Sequence, residues 1–187
     1  MLGRAAVAMW WDVAPERQAE WEDWHSTEHM EERLAIPGFL RGTRWIDETS
    51  YFVLYETKDL KTITSGAYLD RLNNPSPWSR KMMPLHRNMV RSLCVVRERA
   101  DGEALPPFMA TIRFSSGPRK ARGMSLLESQ SMPQGQTTEQ KIRGGDKSAG
   151  WIGLLGGEDA GVLAAAMNDL AAHGTIGVYR LSHSVTP

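Results

Sequence analysis

The sequence predicts an α+β protein made of two successive βαββαβ units, and three observations carry that expectation. Short β-rich runs and helical stretches alternate in that order over the first hundred residues. A similar order of signals follows a polar junction at 99–103, and a β-rich run at 149–155 answers the one at 51–55 about one hundred positions later.

Element by element, residues 5–11 read as a first strand, and Pro15 suits the first turn of a helix that runs through 20–33 and stops at Pro37-Gly38. Residues 39–46 are a second strand, 47–50 a polar turn, and 51–55 the strand that completes a hairpin. Residues 60–72 are helical, 77–91 an irregular or partly helical connection, and 92–97 a fourth strand. The second unit opens with a strand at 108–114, continues at 149–155 with an amphipathic helix at 159–172, and closes at 175–182. Between 115 and 145 the chain is rich in Gly, Ser, Gln and Pro; 124–129 is expected as a short helix and 139–143 as a short strand. The domain expectation is an N-terminal half at 1–100 and a degenerate C-terminal half at 105–187.

Composition narrows the function. The 187 residues carry 22 basic and 22 acidic side chains, so no net field attracts nucleic acid or an anionic membrane surface. No apolar run approaches the roughly 20 residues a spanning helix needs, and the expectation is a cytoplasmic protein. The single cysteine, Cys94, lies in the apolar run Leu93-Cys94-Val95-Val96 and reads as a buried, inert thiol. Seven tryptophans and ten methionines suit an aromatic cavity or an aromatic-rich core.

The most informative stretch is Glu20-Trp21-Glu22-Asp23-Trp24-His25-Ser26-Thr27-Glu28-His29-Met30-Glu31-Glu32-Arg33. At about 100° per residue, Trp21, His25, Glu28, His29 and Glu32 share one face beside Trp24. Ionisable groups held between tryptophans and a sheet form a small acid/base site, where carboxylate pKa values rise and imidazole protonation follows its neighbours. His25 and His29, one turn apart, also have the spacing of two metal ligands, although a third would have to come from Glu28, Glu32, His86 or His183. Arg41 and Arg44 have opposite parity on their strand, so one at most faces the helix unless a bulge intervenes. Tyr51 and Tyr55 line a cavity or plain core, and His86 with Trp78 sits where a flap would cover the pocket.

At Trp24-His25-x-x-Glu28-His29, with Glu32-Arg33 and Ile36-Pro37-Gly38-Phe39-Leu40-Arg41-Gly42-x-Arg44, the chain resembles the EthD-like branch of the dimeric α+β-barrel superfamily. Tyr51-x-x-Leu54-Tyr55-Glu56 and Tyr68-Leu69-x-x-Leu72-Asn73-Asn74-Pro75 extend the resemblance over about the first hundred residues; the second half follows in pattern only. It implies two ferredoxin-like βαββαβ halves fused in one chain, their sheets pairing into a barrel. Members of the superfamily include lactone isomerases, cofactor-free monooxygenases, polyketide cyclases and haem enzymes, so fold is better specified than reaction.

The leading functional expectation is a small-molecule enzyme without a cofactor, of the lyase, isomerase or cyclase type, acting on an apolar or aromatic carbonyl-bearing substrate. His25 or His29 transfers the proton, Glu28 orients or assists, and an arginine or tyrosine stabilises the anion. Trp21, Trp24, Glu32, Arg41, Arg44, Tyr51, Tyr55, Trp78 and His86 are the expected substrate-binding residues. A non-catalytic binding module for an apolar metabolite, and a metal-dependent enzyme centred on His25 and His29, remain the alternatives. No partner beyond the substrate is expected other than a second copy in a homodimer.

Overall fold

Strand β1 (Ala5–Asp12) alternates Ala6, Ala8 and Trp10 on one face with Ala5, Val7, Met9 and Trp11 on the other, yet almost every residue is buried. A computed structural model describing residues 1–102, 104–131 and 135–187 gives the reason. One face of β1 points into the lumen of a closed barrel, and the other lies under helices.

The barrel has eight antiparallel strands: β1, β2 (Phe39–Asp47), β3 (Ser50–Thr57), β4 (Arg87–Glu98), β5 (Phe108–Phe114), β6 (Ser125–Ser129), β7 (Trp151–Gly157) and β8 (Gly174–Val185). Around its circumference they run β1-β3-β2-β8-β5-β7-β6-β4, and β4 returns to β1. The expectation of two fused ferredoxin-like βαββαβ halves is thereby corrected: the architecture is one closed eight-stranded β-barrel with a few helices. Hydrogen bonding explains the outcome. β2 pairs with β8 and β4 pairs with β6, so no strand is left with a row of unpaired backbone groups. The chain also passes from β5 to β6 through the irregular segment 115–124, with no crossover helix.

Two further expectations are reversed. The helix expected at 124–129 is replaced by β6 between β4 and β7, while the strand expected at 139–143 gives way to helix α5 (Thr138–Ile142), with a capping box between Thr137 and Gln140. Leu126 and Leu127 are buried on opposite faces of the sheet, so this short run shows no alternation that would separate a strand from a helix. The expected junction at 99–103 includes Glu103, and the segment 115–145 includes residues 132–134; these lie outside the described residues.

The lumen is filled by side chains. Phe52 stacks with Trp10 at 5.0 Å and with Trp45 at 5.4 Å between ring centroids, and Cys94 is buried in the same cluster, where burial pushes its thiol up to about 12. Over the outer face of β1 and β3 lie α1 (Gln18–Trp24), α2 (Met30–Leu34), α3 (Gly66–Asn73) and α4 (Pro77–Met82); α6 (Ala160–Met167) covers the outer face of β5 and β7. Close helix packing on β2 depends on Gly42, where a Cβ would come within 2.8 Å of the Tyr55 ring and 2.9 Å of the Met30 methyl. Among the described residues no helix is long and apolar enough to cross a membrane.

Candidate active site

The helix expected over 20–33 runs without interruption from Gln18 to Leu34, with one irregularity inside it. Between α1 and α2, His25–His29 forms a single π turn, in which the Met30 N–H donates to the His25 carbonyl five residues back. One extra residue per turn rotates the face relative to an α-helix, and such insertions mark functional sites. Here it turns both imidazoles inward: His25 is 1% exposed and His29 7%. Their ring centroids are 5.5 Å apart, His25 stacks on Trp21 at 4.6 Å, and His29 lies 4.6 Å from Trp24.

Behind them is a cavity of about 20 Å³ lined by Trp11 of β1, Tyr55 of β3, His86, Arg33, Arg91, Arg143 and Glu139. Six buried polar atoms on its walls have no hydrogen-bond partner: Trp11 Nε1, His25 Nε2, His29 Nδ1, Arg33 Nη1, Tyr55 OH and His86 Nδ1. An unpaired buried polar atom costs about 1–3 kcal/mol, so six on the residues lining a space with room for about one water suit a single polar oxygen, that of a water molecule or of a ligand.

Hydrogen bonds on the far side of two rings fix their protonation. The Trp21 indole N–H donates to His86 Nε2 at 3.0 Å, so the His86 proton sits on Nδ1. His25 Nδ1 is 3.4 Å from Arg44 Nη1; a guanidinium has no acceptor, so Nδ1 accepts and Nε2 carries the proton. His25 and His86 thus present N–H donors to the cavity, as do Trp11 and Arg33. His29 Nδ1 is the imidazole nitrogen there whose role no neighbour dictates. Burial, reinforced by Arg44 at His25, by Arg33 at His29 and by Arg143 at His86, holds all three pKa values well below the ordinary imidazole range. They are neutral at pH 7. Burial raises the Tyr55 phenol above its ordinary range, keeping it protonated as well.

Several expected site residues take other places. Glu28 accepts from Trp24 Nε1 at 3.1 Å and Ser76 Oγ at 2.5 Å, so its carboxylate ties α1 to the start of α4 and does not orient an imidazole. Glu32 pairs with Arg71 at 3.0 Å, and burial raises its pKa. A bulge between Phe39 and Arg41 reverses the parity of β2. Arg44 therefore faces the helices, 5.8 Å over the Trp21 ring, whereas Arg41 points to the lumen side and pairs with Glu56 at 2.5 Å. That pair lines a separate cavity of about 340 Å³, with Trp45, Leu54 and Met109. Tyr51 donates to Glu22 at 2.7 Å, 4.7 Å from the Trp21 ring, and Trp78 packs partly buried at the edge of the helix-covered core.

Sequence reasoning missed the second-half contribution. Glu139 of α5 forms a fully buried ion pair with Arg33, and Arg143 bonds Asp146 at 2.8 Å. No local pattern links positions 106 residues apart; an acidic residue four before a basic one in a Gly-rich segment is the only trace. Among the described residues, no group of three or more His, Cys, Asp or Glu side chains is arranged to hold a metal ion. The guanidiniums around the cavity outnumber its one carboxylate, that of Glu139, and weigh against a cation.

No family model and no curated protein matches the chain. Among solved structures, an anthrone oxidase-like protein superposes with a TM-score of 0.61 at 11% identity, covering 97% of this chain and 92% of its own. A candidate monooxygenase from Lactobacillus acidophilus (TM-score 0.47, 8% identity, 97% of this chain and 95% of its own) and one from Fusobacterium nucleatum (0.48, 9%, 100% and 96%) are more distant. The first of these establishes a shared barrel fold; the EthD-like assignment within it has no support from these matches.

Proposed function

We propose that this protein is a small-molecule enzyme that removes a proton from an apolar or aromatic carbonyl-bearing substrate and holds the resulting enolate or phenolate. The convergence of six unpartnered polar atoms on one buried cavity carries this reading. His29 Nδ1 accepts the proton, its ring becoming imidazolium. The developing oxyanion is met by His25 Nε2–H, His86 Nδ1–H, Trp11 Nε1–H and the Tyr55 hydroxyl, with Arg33 supplying positive charge. Placed donors in a dry site stabilise charge where it develops, which compensates for the weak basicity of a desolvated imidazole. Glu28 serves as a brace, not as a proton carrier. Such an anion is the common first intermediate of the lyase, isomerase and cyclase reactions expected from the sequence. The anthrone oxidase-like neighbour is in keeping with aromatic carbonyl chemistry, though its likeness extends to fold alone.

The test uses a simple carbon acid. β-Tetralone in D2O exchanges its acidic C–H for deuterium, and NMR follows the exchange. The protein accelerates it, and His29→Ala lowers the acceleration by about 10²–10⁴, while Tyr55→Phe and Trp11→Phe reduce it by smaller factors. No acceleration, or equal rates for wild type and His29→Ala, would overturn the assignment.

A further inference from the structure

The histidine cavity holds donors in excess of acceptors. Of its six unpartnered atoms, Trp11 Nε1 and Arg33 Nη1 can only donate, and the Trp21 and Arg44 contacts leave His86 Nδ1 and His25 Nε2 as donors too. The Tyr55 hydroxyl can donate, and His29 Nδ1 can carry a proton or accept one. None of the six can only accept. The one carboxylate that lines the space, Glu139, gives Oε1 to Arg33 and turns Oε2 toward Arg143 at 3.5 Å.

Charge points the same way. Arg33, Arg91 and Arg143 line the space against Glu139. Arg143 also pairs with Asp146 at 2.8 Å, but Arg91 donates Nη2 to the neutral Tyr68 hydroxyl at 2.8 Å. The charges acting on the imidazoles are those of Arg44 at His25, Arg33 at His29 and Arg143 at His86, and each disfavours a further positive charge there.

Size limits the guest. A space of about 20 Å³ admits one water-sized body. A water has as many hydrogens to place as lone pairs to offer, so it leaves some of these donors unpaired and lacks acceptors for its own protons. A monatomic anion only accepts, so every donor can turn to it, and hydrogen bonds to a charged acceptor are roughly twice as strong as neutral ones. Chloride is little larger than a water molecule.

We propose that the histidine cavity is a buried binding site for a single monatomic anion of chloride's size, held by Trp11 Nε1, His25 Nε2, His86 Nδ1, Arg33 Nη1 and the Tyr55 hydroxyl. His29 then takes the tautomer with its proton on Nδ1 and turns a sixth donor to the ion. The site rests on the donor set and not on the proton-transfer assignment. In the reaction assigned above, a chloride held there occupies the place of the substrate oxygen and keeps His29 Nδ1 from accepting a proton, so the ion acts as an inhibitor.

The test titrates sodium chloride into the full chain and follows the ³⁵Cl NMR line width, with ionic strength held by sodium gluconate, whose anion is too large for the space. The wild type should show a saturable broadening that iodide, also too large, does not displace. Trp11→Phe and Tyr55→Phe should each weaken binding about fivefold, the usual net worth of one hydrogen bond. Arg33→Met/Glu139→Leu should abolish it, and circular dichroism melting establishes that each variant folds. Long-wavelength anomalous diffraction from crystals grown in chloride should place a peak between Trp11, His25 and His86; this measurement decides alone should the variants unfold. No saturable broadening, broadening that all the variants retain, displacement by iodide, or density in the cavity without anomalous signal would overturn the anion site. None of these outcomes bears on β-tetralone exchange in gluconate buffer, which tests proton transfer separately.

Discussion

The indole N–H of Trp21 donates to Nε2 of His86 across 65 positions of sequence, and this single bond sets which nitrogen of His86 faces the cavity as a donor. Trp21→Phe keeps the ring but releases the tautomer. Two-dimensional ¹⁵N spectra of the histidines should show one tautomer for His86 in the wild type and a mixture in the variant. Binding of a phenolate probe should weaken by about 1 kcal/mol, the usual net worth of a hydrogen bond. An unchanged His86 spectrum would show that Trp21 does not control it.

Acid should destabilise this protein at an unusually high pH. His25, His29 and His86 have folded-state pKa values below their unfolded value near 6.5. Their contribution is therefore complete above that value and is lost as pH falls through it, because the unfolded chain then binds protons the folded chain does not. Each such histidine adds a slope of up to about 1.4 kcal/mol per pH unit. Urea denaturation between pH 7.5 and pH 5.5 measures it, and His86→Gln should reduce the slope by about one histidine's share. For the same reason the acid limb of kcat/KM should lie below pH 6.5, since His29 acts in its neutral form.

Arg33 and Glu139 form the buried pair that joins α2 to α5. Removing one partner leaves a desolvated charge, so Glu139→Ala should cost about 3–5 kcal/mol, whereas Arg33→Met/Glu139→Leu should recover most of the loss. Chemical denaturation of the four proteins in the cycle checks both values. The double variant should nevertheless lose anion binding, because Arg33 Nη1 faces the cavity.

The π turn admits a direct test through Thr27, an exposed residue whose hydroxyl bonds the Asp23 carbonyl at 2.8 Å. Deleting Thr27 should convert His25–His29 into ordinary α-helix without unfolding the barrel, since the insertion is local. His25 and His29 would then differ in angle by one residue's rotation, and exchange activity should fall by at least about 10²-fold, as for loss of the base. A crystal structure of the variant would show whether the helix closes as stated.

What the sequence determined by itself was local. Alternation in 5–11, the Pro37-Gly38 stop and the hairpin at 47–50 are written in residue types whose backbone preferences act over a few positions, and the structure places β1, α2 and the β2–β3 turn there. The same holds for the two histidines: tryptophans beside them marked a face turned to protein, and it is buried. Tertiary structure alone decided the rest. Barrel closure depends on β2 meeting β8 and β4 meeting β6, hydrogen bonds between backbones that carry no side-chain signature. The bulge that sends Arg41 to the lumen and Arg44 to the helices is a one-residue shift invisible to periodicity. The extra residue of the π turn is likewise invisible, since the same letters fit an α-helix. Above all, the protonation of the site was settled by Trp21 on His86, Arg44 on His25 and Glu139 on Arg33, pairings made across the fold; a charge responds to what surrounds it in space, and sequence order does not encode those neighbours.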